Sequence, residues 1–408
     1  MKKLAFFFGL CFVPRLAYHL WNPVLDPASN YYWRLSDSLL RFGTLGFDGV
    51  RSTAFEPLYP LFLGVSRWLT RDHFLGVILL QIAVASIGCI YFYKLCLEVS
   101  KNETLGAIGV FLYSFYPYYV HQSTRITEIP ILTTLLILFC YYFSRATDVK
   151  NFFSSGIALG LLLLIRFAVL PIGLFALTAL LLKKRFLGFF VTLAATLLLV
   201  FPLLLRNYRL DGSFLLTRSG LNFFEANGPY SDKMIPAYST DLLNVYAYDL
   251  LGKEPKEKPF TEAGQVDRFF THKALQFIKE NPFRTLKLKL LNPVYLFHPR
   301  IVPYHGLTEN TRLLFDETGG FRVENFSSRE PVGEWAHTIA YSLIFLTAIY
   351  GVFLRKNQLE RDTVLWVVIL GFVIVYSVYF PTTKLRAPMD FTLMFYSACA
   401  LSRWIPTA

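Results

Sequence analysis

Cysteine is scarce in this sequence of 408 residues. The five cysteines all lie in apolar segments: Cys11, Cys89, Cys96, Cys140 and Cys399. The long hydrophilic segment at 206–336 has none, and no two cysteines have the spacing of a CxxC metal motif. This distribution excludes a disulfide framework and a cysteine-based metal centre, and it favours small buried side chains at all five positions.

Charged residues are also few, at 17% of the chain, whereas 54% of the residues are hydrophobic and the mean hydropathy is +0.43. This balance is too apolar for a soluble enzyme of this length and is typical of a polytopic membrane protein. The formal net charge of +12 would suggest a nucleic-acid partner in a soluble protein. No RNA- or DNA-binding motif occurs, so we attribute the excess to cytoplasmic loops and expect no nucleic-acid partner.

Glycine motifs that bind nucleotides are missing as well. Neither GxGxxG nor GxxxxGK[ST] occurs in the chain. Their absence argues against a nucleotide donor and against ATP-driven transport.

Apolar runs predict ten transmembrane helices and hence an all-α polytopic membrane protein, because a span needs about 20 apolar residues and tolerates somewhat fewer. The runs lie near 4–20, 74–94, 104–120, 128–144, 152–165, 167–182, 186–205, 337–354, 363–380 and 389–405. One helix over 152–182 would be roughly 46 Å long against a hydrocarbon core of about 30 Å. A turn near Arg166 and Pro171 is therefore expected. The first run has no cleavage site and predicts a signal anchor.

Lysine and arginine concentrate in the connections that follow even-numbered spans, which predicts a cytoplasmic N-terminus in the plasma (inner) membrane. The active site is then expected on the outer side. The chain divides into an N-terminal transmembrane catalytic module, an extracytoplasmic loop region that is mainly helical, and C-terminal transmembrane helices. These parts span 1–205 with a first outer loop at 21–73, then 206–336, then 337–408.

Two stretches outside the spans also have helical patterns. Residues 58–70 are apolar but too short to span, which favours an interfacial or re-entrant helix. Residues 267–293 have helical apolar spacing that Pro282 divides into two helices.

Ionisable residues gather at the predicted outer ends of the spans. They are Asp26, Glu56, Arg125, Glu128, Arg166, Arg206, Lys384 and Arg386. Carboxylates can accept a proton from a hydroxyl or bind a divalent cation, and guanidinium groups bind phosphate through paired donors. Their position at the lipid boundary predicts chemistry on a phosphate whose tail lies in the bilayer.

The order of these motifs resembles the C-type glycosyltransferases that use polyprenyl-phosphate sugars, in the branch of the protein O-mannosyltransferases and the lipid A aminoarabinose transferase. The resemblance covers nearly the whole chain. It rests on "DPASNYYWRLSDSLLRFG", "EPLYPLFLG", "TEIPILTTLLILFCYY", "GIALGLLLLIRFAVLPI", "LLLRNYRLDGSF" and "KLRAPMDFTLMFYSACAL".

This resemblance implies transfer of a sugar from a polyprenyl-phosphate donor to a lipid, glycan or protein acceptor, with inversion. It makes Asp26 the general base and Glu128 an assisting acid, and it assigns the lipid phosphate to Arg166, Arg206 and Arg386. Independently of the resemblance, position at the membrane edge makes Glu56 a further catalytic candidate and Lys384 and Arg125 further phosphate-binding candidates. A divalent cation, Mg or Mn, is possible on Asp26 and Glu128, although the loop has "LDPA" in place of an adjacent acidic pair.

Structural roles compete with each of these assignments. Asp26 before Pro27 can cap a helix, and Glu128 or Glu56 can complement a helix dipole. Lys384 and Arg386 can snorkel at the interface. For the whole chain the alternatives are a ligase that uses a polyprenyl-diphosphate glycan and a lipid-carrier flippase or transporter, although no internal repeat is visible.

Overall fold

The all-α architecture of a multi-pass membrane protein is confirmed. The structure is a computed structural model that describes residues 2–24, 26–214, 216–252, 263–306, 311–315, 321–328 and 330–404. Its α-helices are α1 (Lys2–Trp21), α2 (Tyr31–Phe42), α3 (Leu58–Leu69), α4 (Phe74–Ser100), α5 (Glu103–Phe115), α6 (Pro117–Ser123), α7 (Ile129–Ser144), α8 (Val149–Ile165), α9 (Leu170–Leu182), α10 (Phe186–Asp211), α11 (Ser219–Asn227), α12 (Ser231–Met234), α13 (Asn244–Leu250), α14 (Ala263–Glu280), α15 (Pro282–Leu296), α16 (Pro331–Leu354), α17 (Thr363–Val378), α18 (Thr383–Arg386) and α19 (Asp390–Leu401).

Every predicted span coincides with an apolar helix or with a pair of helices. Within the described residues, α1, α4, α10 and α16 are long and apolar enough to cross a membrane. Shorter apolar helices of 10–17 residues, among them α5, α7, α8 and α17, lie within other predicted spans. The number of spans stays a prediction.

Both predicted helix breaks are confirmed. Helix α8 ends at Ile165, Arg166 is extended at φ −159° and ψ 105°, and α9 begins after a single 3₁₀ turn. Pro282 begins α15 directly after α14. A third break was not predicted: the run at 104–120 divides at Tyr116, because Pro117 lacks the amide that would continue α5.

The first outer loop folds as two short helices around a small hairpin. Asn30 caps α2 by accepting a hydrogen bond from the Tyr32 amide at 2.9 Å, and Gly43 ends it in the left-handed region at φ 63°. Strands Gly46–Phe47 and Val50–Arg51 then pair antiparallel. Helix α3 packs against α2 and α4, which confirms a helix at 58–70 shorter than a span.

A second hairpin lies in the 206–336 region, so the described chain is not wholly helical. Its strands, Arg312–Phe315 and Phe321–Glu324, pair Arg312 with Glu324 at one end. Both hairpins are peripheral to the helical bundle.

Helix α19 lies at the centre of the bundle, with all residues from Asp390 to Ala400 buried. It packs against α5 and α16, while α7 lies between α4 and α8. This packing brings the start of α7, the end of α8 and the short helix α18 to one end of the bundle, beneath the first outer loop.

Candidate active site

A cavity of about 1440 Å³ opens where these helix ends meet the first outer loop. Its wall includes residues from α1, α2, α6 and α16, and the 206–336 region closes it from the other side. Ligand pockets commonly measure about 300–1,000 Å³. This cavity is larger than that range.

Glu128 is the central charged group of the wall. Its side chain is only 2% exposed, and one carboxylate oxygen accepts a hydrogen bond from Arg166 Nη1 at 2.6 Å. The other oxygen lies 3.6 Å from Lys384 Nζ and accepts a hydrogen bond from the Thr127 hydroxyl at 3.2 Å. Two cations from distant parts of the chain thus share one buried carboxylate.

Glu56 lies at the junction between the hairpin and α3, half-buried in the same wall. Its Oε1 accepts a hydrogen bond from the Phe167 amide at 3.2 Å, and it forms no ion pair within 4 Å among the described residues. Burial raises the pKa of this carboxyl above the ordinary value of a glutamate, while nearby Arg166 and the Phe167 amide oppose that change. Glu56 is thus an acid of the wall that no cation holds in direct contact among the described residues.

Aromatic side chains of α2 cover these charges. The rings of Tyr31 and Tyr32 lie 4.0 Å apart between centroids, and Tyr32 contacts Tyr59 edge-on at 4.7 Å. The start of α2 is tied to the connection between α6 and α7, since Asn30 donates a hydrogen bond to the Ile126 carbonyl at 3.2 Å. The tyrosine pair consequently forms an aromatic part of the cavity wall.

Asp26 lies outside the lining of the cavity. Its carboxylate is exposed and accepts a hydrogen bond from the Ala28 amide at 3.0 Å, as expected of a turn. Asn22 and Tyr31, on either side of this turn, do line the cavity. The structure thus places Asp26 on a loop at the rim rather than beside Glu128.

Arg386 is fully buried away from the cavity. Its guanidinium donates to Asp390 at 3.1 Å and to the carbonyls of Leu296 and His298 at 3.2 and 3.0 Å, and it stacks 3.6 Å from the centre of the Tyr341 ring. These contacts join α15 to the segment that carries Lys384. The geometry therefore gives Arg386 a structural role.

Arg206 and Arg125 do not line the cavity either. Arg206 donates hydrogen bonds to the carbonyls of Ser52 at 2.9 Å and Leu45 at 3.3 Å, and so fastens the first loop to the end of α10. Arg125 contributes its carbonyl oxygen to the Gln81 side chain at 2.8 Å. Of the predicted cations, the structure brings Arg166 and Lys384 together.

Arg218 is a cation of the wall that the sequence reasoning missed. It is half-buried, and its guanidinium forms no hydrogen bond or ion pair within 4 Å among the described residues. Burial raises the pKa of its neighbour Glu225 well above that of an exposed glutamate, which favours the uncharged acid. Because Arg218 follows α10 within a segment read as an ordinary loop, no sequence pattern distinguished it.

The residues expected to hold a divalent cation do not form such a site. Both oxygens of Glu128 already face cations, and Asp26 lies outside the cavity. Within the part of the chain that the structure describes, no group of three or more His, Cys, Asp and Glu side chains is placed to bind a metal.

This arrangement combines a proton acceptor with anion-binding groups. Glu56 can accept a proton, while Arg166, Lys384 and Arg218 can stabilise negative charge on a phosphate. All four side chains lie at helix ends or in loops, next to the apolar and aromatic part of the wall. Such a site suits a substrate with a charged head and an apolar tail.

Comparisons with known proteins bear on the fold. Residues 54–205, which begin just after the first hairpin and include most of α10, match the family model described as dolichyl-phosphate-mannose-protein mannosyltransferase. The comparison with curated protein sequences gave no match.

Two solved structures are similar to this chain over nearly its whole length. The oligosaccharyltransferase of Archaeoglobus fulgidus, tethered to an acceptor peptide with the NVT sequon, superposes with a TM-score of 0.51 at 13% identity over 98% of this chain and 49% of that chain. ArnT from Cupriavidus metallidurans, bound to undecaprenyl phosphate, has a TM-score of 0.42 at 10% identity over 96% of this chain and 77% of that chain. This chain thus spans about half the length of the oligosaccharyltransferase, whose fold it shares.

Proposed function

We propose that this protein, which has the fold of the C-type membrane glycosyltransferases, moves one sugar from a polyprenyl-phosphate carrier to an acceptor. The observation that carries the proposal is the cavity, where Glu56 lies among Arg166, Lys384 and Arg218 beside an apolar wall. The match of residues 54–205 to a family named for a dolichyl-phosphate-linked donor supports a lipid monophosphate.

The donor phosphate would bind to the cations of the cavity. Glu128 holds Arg166 and Lys384 in place, so little side-chain freedom is lost when the phosphate binds. Arg218 adds a guanidinium with no partner in contact among the described residues. As the bond between the anomeric carbon and the phosphate oxygen breaks, these groups stabilise the charge that develops on the leaving phosphate.

Glu56 would act as the general base. It removes the proton of the acceptor hydroxyl while that oxygen attacks the anomeric carbon from the face opposite the phosphate. The electron pair of the broken bond leaves with the phosphate, and the anomeric configuration inverts. The products are polyprenyl phosphate, the glycosylated acceptor and a proton that Glu56 releases to water.

Asp26 is the competing base, because the resemblance in sequence assigns the first-loop aspartate this role. Its exposure at the rim does not by itself exclude it, since catalytic contacts often form only after substrates bind. The contacts of Glu56 inside the cavity favour Glu56. Matched variants of both acids separate the two assignments.

The outer face of the plasma membrane is the proposed location of the cavity, and a lipid, glycan or protein is the proposed acceptor. The distribution of basic residues along the chain supports this orientation. A flippase is expected to bind its cargo near the middle of the bilayer in broken helices. The charges of this cavity lie at helix ends instead, which favours an enzyme.

The test is a panel of polyprenyl-phosphate sugars and one polyprenyl-diphosphate glycan, incubated with the purified protein in detergent together with membrane extract as the source of acceptor. We expect release of polyprenyl phosphate from at least one monophosphate donor. Replacement of Lys384 by Ala should weaken use of that donor. Lys183→Ala serves as the control, because Lys183 follows the end of α9 that is remote from Arg166.

Release from the diphosphate donor alone would identify a glycan ligase. No release from any donor, with a protein that remains monodisperse and thermally stable, would refute the proposed activity.

A further inference from the structure

Helix α15 has an apolar face that no described part of the protein covers. The stripe consists of four side chains spaced three or four positions apart, which places them on one side of the helix. They are Phe283, Leu286, Leu290 and Val294, with exposures of 85%, 56%, 67% and 59%. A helix of a water-soluble region normally presents polar residues on such a face.

The opposite face of α15 fixes the helix to the end of α17. Asn292 donates hydrogen bonds to the carbonyls of Ser377 and Tyr379 at 3.0 and 2.9 Å. Lys289 donates to the Val378 carbonyl at 2.8 Å. Because α17 is an apolar helix that ends at Val378, α15 lies at the level where a predicted span leaves the membrane.

Helix α17 also exposes apolar side chains. On that helix Leu370, Ile374 and Val378 are 49%, 45% and 42% exposed and follow one another at intervals of four. Side chains at this spacing lie on one face of a helix. Exposed apolar faces on a predicted span and on the helix that is hydrogen-bonded to its end are typical of contact with an apolar medium.

Helix α14 shows that this feature is specific to α15. It precedes α15 in the same hydrophilic region, but its exposed positions carry mainly polar residues such as Arg268, His272, Gln276 and Lys279. Helix α15 in turn has 15 residues and contains Arg284, Lys287 and Lys289, so it is too short and too charged to span the bilayer.

We propose that α15 is an interfacial helix whose apolar stripe inserts among the acyl chains of the membrane leaflet nearest the cavity. Lys287 lies at the edge of the stripe, where it can reach phosphate headgroups. The occupant of this surface is thus lipid, and α14 extends from it into water. The inference is independent of the proposed activity, because it rests only on exposure and on the contacts with α17.

The experiment uses the full-length protein in vesicles of phosphatidylethanolamine and phosphatidylglycerol. The native cysteines are all buried, so a nitroxide label reacts selectively with a new exposed cysteine. Leu286→Cys and Leu290→Cys report on the stripe, and Gln276→Cys on α14 is the matched control. Collision of each label with apolar oxygen and with a water-soluble nickel chelate is measured by electron paramagnetic resonance.

At the stripe we expect the ratio of oxygen to nickel accessibility to exceed that at Gln276→Cys several-fold. Equal nickel accessibility at all three sites would overturn the proposal, because water would then cover the stripe. Low accessibility to both reagents at the stripe would also overturn it, in favour of a second copy or a protein partner. Each labelled variant is first checked against the unlabelled protein by thermal unfolding, and Phe283→Cys replaces any variant that does not fold.

Discussion

The shared carboxylate of Glu128 gives the sharpest test of the charged cluster. Replacing Glu128 by Gln keeps the size of the side chain but leaves Arg166 and Lys384 without their counter-charge. The side chains of Arg166 and Glu128, which pair at 2.6 Å, are 21% and 2% exposed. Loss of this buried ion pair should therefore lower the free energy of unfolding by about 3–5 kcal/mol. The Lys384 side chain is 43% exposed, so screening by water limits the contribution of its pair with Glu128 to about 0–1 kcal/mol.

The measurement is thermal unfolding in detergent, with the donor KM recorded for whichever donor the protein uses. For a chain of 408 residues, a loss of about 3–5 kcal/mol corresponds to a fall in Tm of about 3–6 °C. The donor KM should rise, because the two cations lose the contact that orients them. Glu334→Gln is the matched control, since Glu334 also lines the cavity but pairs with a half-exposed Arg300 at 2.5 Å.

The reasoning fails if Glu128→Gln unfolds at the wild-type temperature, because the carboxylate would then contribute no net stabilisation. It also fails if Glu334→Gln loses as much stability as Glu128→Gln. A double-mutant cycle with Arg166→Gln provides the coupling energy directly.

Three further predictions concern the base, the buried arginine and the orientation. Glu56→Gln should lower turnover about 10²–10⁴-fold, while Asp26→Asn should retain most of the wild-type turnover. The wild-type rate should fall as the pH drops through the raised pKa of Glu56, because the base becomes protonated there. The reverse order of the two variants would make Asp26 the base. Arg386→Met should destabilise the protein by about 3–5 kcal/mol, because it leaves the buried carboxylate of Asp390 unpaired. The donor KM of any protein that still folds should be unchanged. A raised donor KM without loss of stability would instead place Arg386 in the phosphate site. Cysteine at Glu280 should react with an impermeant thiol reagent added outside intact cells and cysteine at Lys184 should not, and the opposite pattern would invert the topology.

The membrane architecture could be predicted from the sequence because hydropathy is a local property of the chain. Each apolar run became a helix, and the breaks at Arg166 and Pro282 followed from helix length and from proline chemistry. The break at Tyr116 was missed, since a run of apolar and aromatic residues concealed the effect of Pro117. The position of charges at the ends of the runs was equally visible.

Only the tertiary structure decided which of these charges meet. Glu128 and Arg166 lie 38 positions apart in the chain, and Lys384 is still more distant, yet the packing of α7, α8 and α18 brings all three together. The same packing buries Arg386 and leaves Asp26 exposed at the rim, although both residues lie next to apolar runs in the sequence. Apolar pattern determines how deep each residue lies along a helix, but the direction in which its side chain points depends on how the helices rotate and pack against one another.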